Sequence, residues 1–537
     1  MKFSVDSVSD HKEIPHLMKI KLSSWSSEII KFCTFVTFLT GSLPAEDFYI
    51  SPTGDDTHSG NSPDQSWKTL EKATAYFSNH PIASDRLFLQ GGGVYKGHLA
   101  LEGGGGTPGH PAIIGIFGEG VATILSNDRH AVSIVNVEQI ELENLVVIGA
   151  DIKKENGFLF RNCLPSDGAH NLEHIVLRNC QAYGFSKDGI LIDGMPNRFG
   201  FSDVLIDQCV ASRNQRNGIH TKGAYQMTGM RYAHHNVVIR NSVAHHNPGD
   251  SSYLDNHSGN GIWVESADGA RVTRCSAFEN GIDCKRVGNG PCGIWTAHSN
   301  AVAIDHCISF RNHSKFSDGA GFDIDGGCSN CSLRHNFSME NDGAGYLVWS
   351  YVWAPMIDRH NIVENNISLN DAQRFHKYGG IYIGCENERG IHGLIIRQNL
   401  VVQGIRGRRG LVVASGGVEG SIVDNEIWLR GTTIGVEVEA EGNRLNISNN
   451  QNEKSFPPIL ENKPDWHPDP IHINMNGNLR HQFHVMKAKS PKSGKTKYFK
   501  TNRMEFAFTS NSKSDVAKNR MIYSMRLNNR NKTERLN

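Results

Sequence analysis

The chain lacks a charge excess, a membrane-length apolar run and the short motifs of many familiar sites. Lys and Arg number 55, as do Asp and Glu, so the formal net charge is zero. Bulk electrostatics therefore give no reason to expect a nucleic-acid partner. No stretch approaches the roughly 20 apolar residues that cross a bilayer, so stable membrane insertion is not expected. There is no P-loop, dinucleotide fingerprint, GxSxG, HExxH or paired CxxC pattern, which removes the usual signatures of phosphate, serine-nucleophile and zinc sites. CSNC (328–331) is a lone CxxC-like pair and reads as a turn; GGGVYKG (91–97) and GGGG (103–106) have no following helix to bind phosphate. Proline is scarce at 18 residues, whereas glycine reaches 55 without a fixed period. That balance suits many tight turns between short strands and excludes collagen.

The 11 cysteines are an odd number, so at least one is unpaired. Cys284 with Cys292, and Cys328 with Cys331, are close enough in sequence to bridge in an oxidising compartment. Several cysteines recur at one place in a repeat, however, which reads first as core packing. The ends differ from the middle. Lys19, Lys21 and Lys31 precede FCTFVTFLTGSLPA, which finishes at a small Ala45. This pattern predicts a secretory signal over 1–45, and hence a secreted, periplasmic or cell-surface protein. Met18 would give a more ordinary start, and the competing reading is a buried first strand. Residues 451–537, basic from about Arg480, predict a solvated and partly disordered extension that could meet an anionic polymer.

Between these ends the sequence repeats. One element reads VLRNCQA (176–182), LIDQCVA (205–211), VIRNSVA (238–244), AIDHCIS (303–309) and IIRQNLV (395–401). Cys180, Cys209, Ser242, Cys275, Cys307, Asn336 and Asn399 hold comparable places, as stacked small or amide side chains at a coil corner would. A second element reads GILID (189–193), GIHTK (218–222), GIWVE (261–265), GIWTA (293–297), GFDID (321–325), GYLVW (345–349) and GIYIG (380–384). Its period of two marks half-buried strands. Its spacing varies from 24 to 43 residues, and the variation falls in the loops 223–236, 247–260, 280–292 and 350–361. A constant strand with elastic loops predicts an all-β, right-handed parallel β-helix built of two-strand units. Fixed-period leucine repeats and four-stranded propeller blades do not fit.

The segments DFYISPTGDDTHSGNSPDQSWKTLEKA (47–73), RLFLQGGGVYKG (86–97) and GTPGHPAIIGIFG (106–118) resemble the opening of pectate-lyase-like β-helix proteins, and the coils resemble the generic parallel β-helix repeat. The resemblance covers about 47 to 450 and implies one domain over 46–450. It also implies a buried aromatic at Trp67 and a short N-terminal capping helix over 68–77. It does not select an activity, because lyases, hydrolases and non-enzymatic adhesins share the fold.

Parallel stacking aligns the outward residues of the GΦxΦx strands. One column is Leu191, His220, Trp263, Trp295, Asp323, Leu347 and Tyr382; the other is Asp193, Lys222, Glu265, Ala297, Asp325, Trp349 and Gly384. Exposed Trp263, Trp295, Trp349 and Tyr382 would serve as platforms for sugar rings, pointing to a polysaccharide substrate handled by a monomer. Asp323 and Asp325 are i and i+2 on one strand, roughly 6.5–7 Å apart at the backbone; Glu265 and Asp325 are two coils apart, about 9.6 Å. An inverting glycosidase holds its carboxyls about 6.5–9.5 Å apart, one as acid and one as base, and needs no cofactor. A lyase would instead use Asp323, Asp325 and Glu265 to hold Ca²⁺, and Lys222 or His220 to remove a proton. A third reading is a surface protein that binds glycan without cleaving it.

Structural explanations compete for some of these residues. Asp193, Lys222 and Glu265 alternate in sign and could form a cross-strand charge ladder. Asp318 and Asp342, in repeated DGAG, read as turn residues bonding their own backbone. His234–His235, His245–His246, His298 and His313 read as loop or corner residues rather than zinc ligands.

Overall fold

The computed structural model describes residues 45–453 except 127, 150–154, 166–167, 195–198, 224–231, 405–407 and 431–434, together with the backbone of four short strands between Ile473 and Met525. The expected signal segment, most of the C-terminal extension and most of loop 223–236 lie outside the described residues. No helix among the described residues is long and apolar enough to cross a membrane.

Between Asp47 and Glu453 the chain winds through three parallel sheets of 15, 13 and 12 strands, visiting each once per coil. One coil is Phe201–Asp207, Val210–Ser212 and Asn217–Lys222; the next is His234–Arg240, Val243–His245 and Asn260–Glu265. The register is residue on residue: Val204 faces Val237, Val210 faces Val243 and Ile219 faces Ile262. Each coil thus holds three strands, not the two expected. VLRNCQA is the end of Leu172–Arg178, a two-residue corner and the start of Gln181–Tyr183. That corner is too short to interrupt the apolar alternation, so two strands read as one. Its first residue takes a left-handed conformation, as at Asn179 (φ 52°), Gln208 (φ 56°) and Asn241 (φ 50°), a strain that Asn and related polar residues tolerate best.

The residue after each of these points inward and bonds along the stack. Cys209 donates its backbone N–H to Ser242 (3.1 Å), and Cys307 to Asn336 (2.9 Å). From there an amide ladder runs Asn336–Asn366–Asn399–Asn425–Asn450, each Nδ2 donating to the next Oδ1 at 2.9–3.2 Å. A second ladder, at the corner between the second and third sheets, links Asn214, Asn247, Asn280, Asn312, Asn341 and Asp371 at 2.8–3.1 Å. The ten described cysteines are free thiols, nine of them buried, so neither Cys284–Cys292 nor Cys328–Cys331 is bridged.

The outer face of the first sheet carries ion pairs such as Arg240–Asp207 (2.7 Å), Arg271–Asp305 (2.8 Å) and Arg397–Glu364 (2.6 Å). At the first coil Trp67 is buried and stacks on Phe48 (5.2 Å). Helix α1 (Leu70–Asn79) starts two residues later than expected because Thr69 is its cap, accepting from the Lys72 N–H at 3.1 Å. Asp56 fixes that cap by accepting from Thr69 Oγ1 (2.7 Å) and N (3.0 Å). The helix buries Leu70, Ala73 and Phe77.

Asn312→Ala leaves Asn280 Nδ2 with only its bond to the Ala244 carbonyl and removes the side-chain bond to Asn341, so one buried N–H in the middle of the second ladder loses its acceptor. A buried donor left without its acceptor costs about 1–3 kcal/mol, so the urea midpoint falls clearly. Asn450→Ala, at the partly buried end of the other ladder, lowers it by much less.

Candidate functional site

The third sheet positions the predicted strip, and the register pairs its members as read from sequence. Leu191 faces His220, His220 faces Trp263, Trp263 faces Trp295, Trp295 faces Asp323, Asp323 faces Leu347 and Leu347 faces Tyr382. Phe322 and Ile324 lie in the coil core, so Asp323 points away from it. The strip is not open to solvent, however. His220, Trp263, Glu265, Trp295, Asp323 and Tyr382 are each at most 6% exposed. Trp263, Trp295, Leu347 and Tyr382 share an apolar layer with Cys292, Ala320, Ala344, Ala372 and Tyr378, which lie on or beside the loops entering this sheet. His257, from one such loop, packs against Trp263 (5.1 Å) and Trp295 (5.3 Å). Period-two alternation says only which residues leave the core; it cannot tell water from a covering loop. The half-buried members are Lys222, Asp325 and Trp349, all in the second column; exposed Trp353 follows four residues after Trp349 and packs on Tyr351.

Within the layer, His220 stacks on Trp263 (4.2 Å between ring centres, 11°) and Trp263 on Trp295 (4.4 Å, 14°). His220 anchors a chain of polar groups crossing several coils. Its Nδ1 lies 3.4 Å from Asp188 Oδ2, and its Nε2 3.6 Å from Glu265 Oε2. Glu265 Oε1 lies 3.6 Å from His298 Nδ1, and His298 Nε2 is hydrogen-bonded to the Tyr351 hydroxyl. Asn217 donates to Asp188 Oδ1 at 2.6 Å and fixes the far end. Burial alone would raise the pKa of Glu265, but His220 and His298 outweigh it and hold the carboxyl at about 2. Burial would lower that of His220, but Asp188 and Glu265 outweigh it and raise it. Each group at the centre of the chain thus favours the charged form of the other.

The other acids of the strip behave in the opposite way. Burial, and then the charges of Asp325 and Asp318, push Asp323 well above the usual carboxyl range. Its Oδ2 accepts only a weak bond from Cys292 Sγ (3.7 Å), and its buried Oδ1 has no hydrogen-bond partner. Asp325, just past the strand Phe322–Ile324, accepts from Gly326 N–H at 2.8 Å. Its pKa is also raised strongly, by burial first and then by Asp318 and Asp358. Asp358 is raised to about 6 by burial, against bonds from Ser350 Oγ (2.6 Å) and Cys328 N–H (2.8 Å).

Other assignments change. Asp193 pairs with Arg161 of the preceding coil (2.7 Å), and Glu265 with the two histidines, so the expected ladder through Lys222 does not form. Asp318 adopts the turn conformation (φ 54°), but its carboxylate accepts from Gly290 N–H (2.6 Å) and Tyr378 OH (3.1 Å) rather than from its own turn. Asp342 likewise accepts from Ser314 N–H at 3.1 Å. Trp349 lies parallel to Tyr382 (6.2 Å, 12°), over Gly384, where a Cβ would fall 1.9 Å from its ring. Among the described residues no three His, Cys, Asp or Glu side chains are grouped closely enough to hold a metal ion. Sequence reasoning missed Asp188 and Tyr351 and set His298 aside. Asp188 and His298 flank GΦxΦx strands directly, at Asp-Gly-Ile (188–190) and after Ile-Trp-Thr-Ala (294–297), which was a usable signal.

Neither family models nor curated protein sequences match this chain. Solved structures do. The native GH136 lacto-N-biosidase from Eubacterium ramulus is 18% identical with a TM-score of 0.53, over 76% of this chain and 68% of that one. Its selenomethionine derivative gives 17% and 0.51 over the same shares. A rhamnogalacturonan lyase is 13% identical with a TM-score of 0.39, over 78% of this chain and 90% of its own. With three in-register parallel sheets, buried corner ladders and a helix packed at the first coil, the chain has the pectate-lyase-like parallel β-helix fold.

Proposed function

We propose that the protein is an exported carbohydrate-active enzyme that hydrolyses glycosidic bonds of a polysaccharide, with Asp325 as general acid and Glu265 as general base. One observation carries this reading. Two carboxyl groups on one strip have environments that drive their pKa values apart, which is how a site keeps one acid protonated and another ionised. Glu265 stays ionised down to about pH 2, whereas Asp325 holds its proton well above the usual range. Their backbones are two coils apart, about 9.6 Å, with only the small side chain of Ala297 between them. Side chains leaning towards each other across that backbone spacing would bring the carboxyls within the range of about 6.5–9.5 Å used for inversion. Asp325 and Trp349 stand at the half-buried edge, where a chain of sugars can lie against Trp349 and Trp353. The fold shared with a GH136 lacto-N-biosidase supports glycosidase chemistry. Elimination is less well supported, because Asp188 and Glu265 raise the pKa of His220, which favours its protonated form over the free base a lyase would use.

Incubation with pectic, alginate, fucosylated and xylan-type polymers should release reducing ends from one of them without the ultraviolet absorbance of an unsaturated uronate. That absorbance would mark a lyase, and no cleavage on any polymer would mark a glycan binder. On the polymer cleaved, Asp325→Asn and Glu265→Gln each lower kcat by about 10²–10⁴-fold, while Trp349→Ala acts mainly on KM. The rate persists through the acidic range, where Glu265 remains ionised, and falls on the alkaline side as Asp325 loses its proton.

Asp323→Asn tests whether this strip is tuned for chemistry at the expense of stability. A carboxyl with a raised folded-state pKa costs stability once the unfolded chain, near pH 3.9, releases its proton. The penalty grows as the pH rises towards the folded-state value. The neutral variant should therefore raise the urea midpoint at pH 8 and leave it unchanged at pH 3. A lower midpoint at pH 8 would make Asp323 a structural group.

A further inference from the structure

The second sheet has an outer face unlike the other two. Positions pointing away from the core carry Val210, Val243, Phe278, Phe310, Met339, Ile367 and Leu400 on seven successive coils, where the first sheet carries its ion pairs. These residues and their neighbours form an apolar cluster separate from the core. Every described member of that cluster lies on the second sheet itself. A bare strip of this kind would be tens of per cent exposed. Instead its buried members are at most 6% exposed, so a further element covers it. The corners leading into this sheet are two residues long and supply no cover.

We infer that the strip is the docking surface for the C-terminal antiparallel sheet of the same chain, formed by Ile473–Asn474, Arg480–Phe483, Met504–Thr509 and Ile522–Met525. Three observations select this occupant. The solenoid ends on the second sheet, at Gln451–Glu453, so the chain leaves from the edge of the strip. The 19 residues 454–472 reach about 60 Å when extended, and the strip from Val210 to Leu400 spans six coil spacings, about 29 Å. The register of the C-terminal sheet also collects apolar residues at alternate positions: Phe506 is opposite Phe483 and Tyr523, and Met504 is opposite Met525. Alternate positions share one face of a sheet, and a small antiparallel sheet with one apolar face is stable only when that face is covered. Two apolar surfaces tethered at one edge satisfy each other. The C-terminal segment thus closes the third side of the β-helix instead of trailing from it.

Met339, 1% exposed on the strip, is a built-in reporter, because peroxide oxidises exposed methionine and spares covered methionine. In the full-length protein, the sulfoxide at Met339 should form slowly and at a rate independent of protein concentration. Phe506→Asp with Phe508→Asp should accelerate it several-fold, with the circular dichroism of the solenoid unchanged. In the reciprocal experiment, Leu400→Asp should accelerate tryptic cleavage within 486–503. Rapid oxidation in the wild type overturns the proposal, because the strip is then bare. Protection that depends on concentration assigns the strip to a second copy. Protection untouched by the Phe506/Phe508 variant, together with unchanged cleavage in Leu400→Asp, assigns it to another part of the chain. Either result also overturns the proposal.

Discussion

A parallel coil has no hairpin to fix its register, so alignment must come from groups that recognise the same position one coil away. The corner amides do this. An asparagine side chain donates to the next amide and accepts from the previous one, and the spacing between strands, about 4.8 Å, matches a row of identical residues. A one-residue slip would break every bond of both ladders and turn each inward apolar residue outward. The in-register stack, the depth of the core and the columns of the third sheet all follow from that constraint. Interior packing is then free to vary, with cysteine replacing asparagine towards the N-terminal coils.

The same stacking assembles the candidate site. Asp188, His220, Glu265 and His298 come from successive coils and touch only because the coils are in register. A covered layer outside the sheet lowers the local dielectric, which strengthens the carboxylate–imidazolium contacts and makes a lone carboxyl costly. The two histidines pull the pKa of Glu265 down, whereas burial without a basic partner pushes those of Asp323 and Asp325 up. One environment shifts carboxyls in opposite directions because the partners differ. The stacked His220, Trp263 and Trp295 then hold the charged chain in place rather than forming an open sugar platform.

The solenoid was legible because its pattern repeats: glycine-led strands with elastic loops permit few other folds. The column containing Asp323 and Trp263 was legible for the same reason. The stacked corner residues, Cys209, Ser242, Cys307, Asn336 and Asn399 among them, were legible as a corner; that this corner divides two strands was not, since it interrupts the apolar alternation for only two residues. The second ladder was within reach, because Asn214, Asn247, Asn280, Asn312 and Asn341 each follow the first-corner residue by five positions. Burial of the strip was out of reach. It depends on where irregular loops such as 246–259 fold, and alternation carries no such information. Tyr351 was missed for a similar reason: it belongs to a loop, and only the fold brings its hydroxyl to His298.

The central claim is that two kinds of carboxyl coexist on the third sheet, one ionised and one protonated at neutral pH. Infrared difference spectroscopy in deuterated water tests it directly by comparing the wild type with Asp325→Asn, Asp323→Asn and Glu265→Gln. The account predicts that the carbonyl stretch of a protonated carboxyl, present at neutral pH in the wild type, weakens in both aspartate variants and survives in Glu265→Gln. A wild-type spectrum with no protonated carboxyl at neutral pH, or one whose protonated band disappears with Glu265, would contradict it.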